Sequence, residues 1–257
     1  MKDNGLPCYH ILGTPVRATT YEDLTRFCQL RVRQADAFSV DFTNTQIVTM
    51  RCLDADFRSD TSKVDFFIPD GMPLIWCLNL QNAGLKDRVY GPTFMRHCVT
   101  QVPSTFTHYF LGASESCLEK LIAAFKGLKS DVQIVGAHHG YFPEETSADI
   151  VAEINRLSPD FIWVGLGTPR QQHWIHRHKH AIRRGAVMAV GFAFDVNAGT
   201  KPDAPCWMQR YGLAWVFRLC SEPRRLLGRY LYYNTMFLLL LLSGWVKRDA
   251  WSSGKTP

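Results

Sequence analysis

Short runs of β-branched and aromatic residues bounded by turn residues alternate along the chain with segments whose apolar positions recur every three or four residues. Gln46–Thr49 (QIVT), Val64–Ile68, Thr107–Leu111, Val132–Val135, Phe161–Leu166 and Ala186–Phe192 predict strands. Tyr21–Gln34 behind a Thr20 N-cap, Glu115–Leu128, Ser147–Leu157, and Gln171–Arg184 between Pro169 and Gly185 predict helices. This alternation predicts an α/β fold of βαβ units, a Rossmann-like, largely parallel sheet. Its near-continuous apolar strands predict helices on both faces. Past residue 203 strand signals stop, aromatic residues alternate with arginines, and a leucine run follows. The chain divides into a Rossmann-like core, residues 1–203, and a basic, aromatic and leucine-rich helical appendage, residues 204–257.

At 46% hydrophobic and 20% charged residues, the 257-residue chain carries enough apolar side chains for a large core, which excludes a disordered protein. Its net charge of +6 lies entirely beyond residue 204, where eight basic residues face only Glu222 and Asp249. Such asymmetry points to an anionic partner at the appendage: a phosphorylated ligand, a lipid surface or nucleic acid. No nucleic-acid reading motif accompanies the charge, so nucleic acid is not expected. The eight cysteines are never closer than 14 residues, so CxxC and zinc-type spacings are absent and a reduced, cytoplasmic context is expected. The first residues lack the apolar stretch of an export signal. Met236–Val246 is about half the length needed to span a bilayer and suits docking on a membrane surface.

Glycine turns at Gly112 and at Gly165–Gly167 sit between a strand and a helix, where backbone amides either hold a phosphate or merely close a tight turn. Neither completes GxGxxG, which weighs against a nicotinamide-dependent oxidoreductase. Asp70 of Pro69-Asp70-Gly71 stands at a strand's carboxyl end, as a turn former or as a base whose pKa burial raises. Asp54-Ala55-Asp56 has the DxD spacing of metal-binding carboxylates, but at i and i+2 a helix points the two apart. The histidines 173, 176, 178 and 180 read as a solvated basic helix. Arg218, Arg224, Arg225 and Arg229 crowd into twelve residues interrupted by Pro223 and suit a diphosphate, a membrane face or plain solvent.

Five segments in order, VDFFIPDGMPLIW, DRVYGPTF, FIWVGLGTPRQQHWI, VGFAFDVNAG and GLAWVFRLCSEPRRLLGRY, resemble the WecG/TagA/CpsF family of bacterial glycosyltransferases over about Gly13 to Tyr230. The resemblance implies inverting, metal-independent transfer of a hexose (N-acetylmannosamine, glucose or a uronic acid) from a UDP-sugar to a polyprenyl-diphosphate-linked saccharide. No cofactor is implied, and the site is a peripheral one on the inner face of the cytoplasmic membrane. It implies Asp70 as general base, with Thr49, Arg88 and Gln171 as further catalytic residues. It implies Arg218, Arg225 and Arg229 as holding the diphosphate, and Gly71, Gly112, Gly167 and Asp195 are further expected substrate-binding residues. Without a metal, cationic donors must take up the leaving group's charge.

The chain departs from the family pattern at Arg51 (usually Asn), Thr93 (Asp), Gln172 (Glu), Asp203 (Arg) and Ala214 (Glu). These departures motivate an alternative, a catalytically inactive nucleotide-sugar-binding subunit of a polysaccharide assembly complex.

Overall fold

The structure is a computed structural model and describes residues 5–34 and 36–247. Arg248, Asp249 and Lys255 of the predicted basic tail lie outside the described residues. Eight strands, β1 (Cys8–Ile11), β2 (Thr14–Arg17), β3 (Phe38–Thr43), β4 (Phe66–Pro69), β5 (Thr107–Gly112), β6 (Gln133–His138), β7 (Phe161–Gly165) and β8 (Ala186–Ala189), form one sheet. Its order is β1-β2-β4-β3-β8-β7-β5-β6. Only β1 and β2 pair antiparallel, so the sheet is largely parallel.

The helices are α1 (Tyr21–Arg31), α2 (Thr45–Leu53), α3 (Ala55–Asp60), α4 (Met72–Asn79), α5 (Gly91–Gln101), α6 (Glu115–Leu128), α7 (Ser147–Leu157), α8 (Arg170–His178), α9 (Ala193–Asn197), α10 (Cys206–Arg210), α11 (Ala214–Ser221) and α12 (Pro223–Lys247). Strand alternation sends Phe38, Val40, Phe161, Trp163 and Met188 to one face, where Phe27 of α1, Phe94 of α5 and Leu121 of α6 cover them. Ile162, Val164 and Val187 point the other way, onto Ile150 and Ile154 of α7 and Trp174 of α8. Both faces are buried, as the apolar strands predict.

Thr20 caps α1 by accepting from the Asp23 N–H, and α6 and α7 begin and end where their periodicity places them. The segment QIVT is not a strand. Asn44 accepts from the Ile47 N–H at 3.2 Å and starts α2 one residue before Gln46, so the short apolar run is a buried helix turn. The strand lies just upstream, in β3, where Ser39, Asp41 and Thr43 alternate with Phe38, Val40 and Phe42. All six residues are buried, the polar ones bonded: Ser39 to Asp65, and Asp41 to Thr43 and Gln172. The α8 helix ends at His178 and passes into a single 3-10 turn, short of the predicted Arg184.

The appendage is helical throughout its described part. Pro223 separates α11 from α12, as expected of a residue that cannot donate to a preceding turn. The α12 helix then runs 25 residues unbroken and lays Phe237, 2% exposed, among Ile11, Val48, Leu74 and Leu78 of the core. Among the described residues no helix is long and apolar enough to cross a membrane.

Candidate active site

In parallel sheets the carboxyl ends of strands meet the amino ends of helices, and ligands gather where the strand order reverses. Here the carboxyl ends of β3, β4, β7 and β8 open onto a polar cavity of about 570 Å³. From the loops and helices at those strand ends come Asn44, Asp70, Gly167, Gln171, Gly191 and Asp195, and from the appendage Arg218, Arg225, Arg229 and Tyr230. A second, apolar cavity of about 470 Å³ lies between α4 and α12. Asp70, Asn44, Gln46, Tyr90, Arg218 and Tyr230 line both, so Asp70 stands in the shared wall.

The geometry around Asp70 follows from its place directly after β4. Its backbone N–H bonds Thr43 O at 2.8 Å across the strand ends, and its carboxylate accepts from the Gly91 N–H, at the start of α5, at 2.9 Å. Burial pushes the carboxyl up to about 6, against the pull of Arg88, the Gly91 N–H and Arg218, while buried Asp41 adds to the rise. A carboxyl titrating near 6 is ionised at neutral pH yet basic enough to take a hydroxyl proton.

Arg88 is 8% exposed, donates from Nη1 to the Asp70 carbonyl at 3.0 Å, and has its guanidinium 4.2 Å from the Tyr90 ring centroid. Its other terminal nitrogen is buried without a partner. Gln171 has a buried, unpartnered Oε1, set against Gly191 at the edge of the polar cavity. Arg218 packs 3.8 Å from the Phe192 ring centroid, and Arg225 pairs with Glu222. Glu222 also takes Lys201 at 2.6 Å, tying the appendage to the core. Burial lowers the Arg229 pKa, as do the charges of Arg218 and Arg225, and its Nε is buried and unpartnered. The positive charges of Arg218 and Arg225 act on Arg229, and a bound anion would relieve that repulsion.

Most of the residues singled out from the sequence meet here. Gly71 and Arg88 line the apolar cavity; Gly167, Gln171, Asp195, Arg225 and Arg229 line the polar one; Asp70 and Arg218 line both. Gly167, at φ +79°, adopts a backbone conformation costly for other residues. Two residues lie elsewhere. Gly112 lines neither cavity; at φ +146° it packs so close to Gly165 that a Cβ would sit 2.5 Å from that backbone, so it serves the closure of β5 on β7. Thr49 is buried in α2 beneath α12, its hydroxyl 3.5 Å from Tyr233 O, and lines neither cavity. Asn44, which follows β3 and caps α2, lines both cavities. The sequence reading missed Asn44, Gln46, Tyr90 and Tyr230. The signal for Asn44 was its N-cap position before QIVT, hidden by taking that run as a strand.

The departures from the family pattern are mostly scaffolding. Arg51 bonds Thr14 and Thr61, Gln172 donates to Asp41 at 2.8 Å, and Thr93 is exposed. Asp203 accepts from the Tyr90 hydroxyl at 2.8 Å and from Gln209 at 3.1 Å, joining core to appendage. Ala214 alone among them lines a cavity, the apolar one. The DxD segment is a helix surface in which Asp54 caps α3. His173 and His176 share Asp60, while His178 pairs with Glu144, away from both cavities.

Comparison with known proteins gives this architecture a family. The chain is 27% identical over 187 residues, 72% of either protein, to the N-acetylglucosaminyldiphosphoundecaprenol N-acetyl-beta-D-mannosaminyltransferase of Bacillus subtilis. It is 25% identical over 184 residues, 71% of this chain and 72% of the relative, to the protein of the same name from Staphylococcus aureus. The model of the glycosyl transferase WecG/TagA/CpsF family matches residues 9–250, and the chain belongs to that family of glycosyltransferases.

Proposed function

We propose that the protein transfers a hexose from a UDP-sugar, with inversion and without a metal, onto a saccharide carried by a polyprenyl diphosphate. One observation carries this reading: Asp70 stands in the wall common to a polar, arginine-rimmed cavity and an apolar one. In an inverting displacement the acceptor hydroxyl attacks the anomeric carbon from the face opposite the leaving group, so the base must touch both substrates' compartments. Asp70 removes the hydroxyl proton as the new glycosidic bond forms, and the bond to the UDP oxygen breaks. Arg218, Arg225 and Arg229 take up the charge gathering on the departing diphosphate. Gln171, with an unsatisfied acceptor, faces the donor sugar, and Arg88 fixes the Asp70 backbone.

The substrate class in this proposal follows the relatives, whose names give them an N-acetylglucosaminyldiphosphoundecaprenol acceptor and an N-acetylmannosaminyl group to transfer. A peripheral position on the inner face of the cytoplasmic membrane belongs to the same proposal, supported by the exposed leucines of α12 and the basic appendage. The core–appendage division at residue 203 assigns the base to one part and the diphosphate cations to the other. The test is a panel of radiolabelled UDP-hexoses, N-acetylmannosamine first, offered with a lipid-linked N-acetylglucosamine acceptor. Label should pass to the lipid fraction from one donor; no transfer from any UDP-hexose would refute the reading.

A further inference from the structure

The apolar cavity has an internal order. On the α4 side Pro73, Trp76, Cys77 and Leu80 recur at i, i+3, i+4 and i+7, one face of a helix. Opposite, Tyr230, Tyr233, Asn234, Phe237, Leu238 and Leu241 form the matching face of α12. That face runs twelve residues, from Tyr230 to Leu241, about 16 Å at the helical rise. One end of the slot is cationic, with Arg218 and the buried, unpartnered Arg88 nitrogen. The other is apolar and opens to solvent at Trp76, Leu80 and Leu238, which are 54%, 64% and 59% exposed. Large apolar side chains left in water along both lips mark a surface meant to be covered.

We propose that this slot holds the first isoprene units of a polyprenyl diphosphate, its phosphates toward Arg88 and its chain leaving between Leu80 and Leu238 toward the bilayer. The inference rests on the acceptor class proposed above and adds where the lipid lies. An extended, branched hydrocarbon suits a long narrow slot between two helices, and the phosphates meet a buried guanidinium nitrogen of Arg88 that has no partner within the protein. The membrane-facing surface then includes α4 of the core as well as the appendage.

Titration calorimetry of the full chain against inorganic pyrophosphate, isopentenyl diphosphate and farnesyl diphosphate tests this without any sugar transfer. Farnesyl diphosphate should bind at least about tenfold more tightly than isopentenyl diphosphate, since each buried methylene adds to affinity. Trp76→Ala combined with Leu238→Ser, both at exposed positions that leave the core intact, should erase that gain and leave pyrophosphate affinity unchanged. Equal affinity for the two isoprenyl diphosphates, or a chain-length gain that survives the double variant, would overturn the slot. Because the readout is binding alone, failure of the transferase reading and failure of the slot give different results.

Discussion

Arg88 donates to the backbone carbonyl of Asp70 at 3.0 Å, while the Asp70 carboxylate takes its hydrogen bond from the Gly91 N–H. The guanidinium therefore fixes where the Asp70 backbone sits, and burial, more than that charge, pushes the carboxyl up to about 6. Lysine cannot reproduce the planar fork that both reaches the carbonyl and stacks on Tyr90. Arg88→Lys should lower kcat at least about tenfold, as expected when a base shifts slightly from its attack geometry. A steady-state comparison at saturating substrate checks this.

The pH dependence follows from the same carboxyl. If Asp70 is the base it works only when ionised, so kcat/KM should rise with pH through about 6 and level off above it. Removing the Arg88 charge with Arg88→Gln should move the rising limb to higher pH, because Arg88 holds the carboxyl down. Initial rates between pH 5 and 8 read both midpoints.

Stability should run the opposite way. A carboxyl whose folded pKa exceeds its unfolded value of 3.8 binds more protons folded than unfolded, so stability falls as pH rises from 3.8 through about 6. Asp70→Asn removes that cost. Its thermal midpoint should exceed that of the wild type at pH 8, with the difference vanishing near pH 3.

The appendage is part of the fold, and removing it is not a clean test of membrane docking. Phe237→Ala should cost about 3–5 kcal/mol in denaturant unfolding, the usual range for a buried phenylalanine. Deleting residues 236–257 would remove that packing along with any docking surface. Leu239→Ser with Leu242→Ser changes only exposed positions, and should weaken cosedimentation with anionic vesicles at unchanged stability.

Much of this was legible in the sequence because apolar period and turn chemistry are local. The α6 and α7 helices, the β5 and β7 strands, and Asp70 at a strand end all followed from such signals. What was not legible depended on partners distant in sequence. The β3 strand alternates buried polar side chains with apolar ones, and its polar face is satisfied by Asp65 and Gln172, which no local pattern reveals. Reading QIVT as a strand hid the helix start at Asn44, which lines both cavities. Gly112 resembled a phosphate turn but answers to the backbone of Gly165, a contact between strands 53 residues apart. The arginines, separated by Pro223, share a cavity because the chain turns between α11 and α12, a tertiary fact.

The most direct measurement is transfer by Asp70→Asn at pH 8 with UDP-sugar binding followed in parallel. The account predicts a rate reduced by roughly 10²–10⁴, the range of general-base contributions, with donor affinity retained. Wild-type transfer by this variant would contradict it.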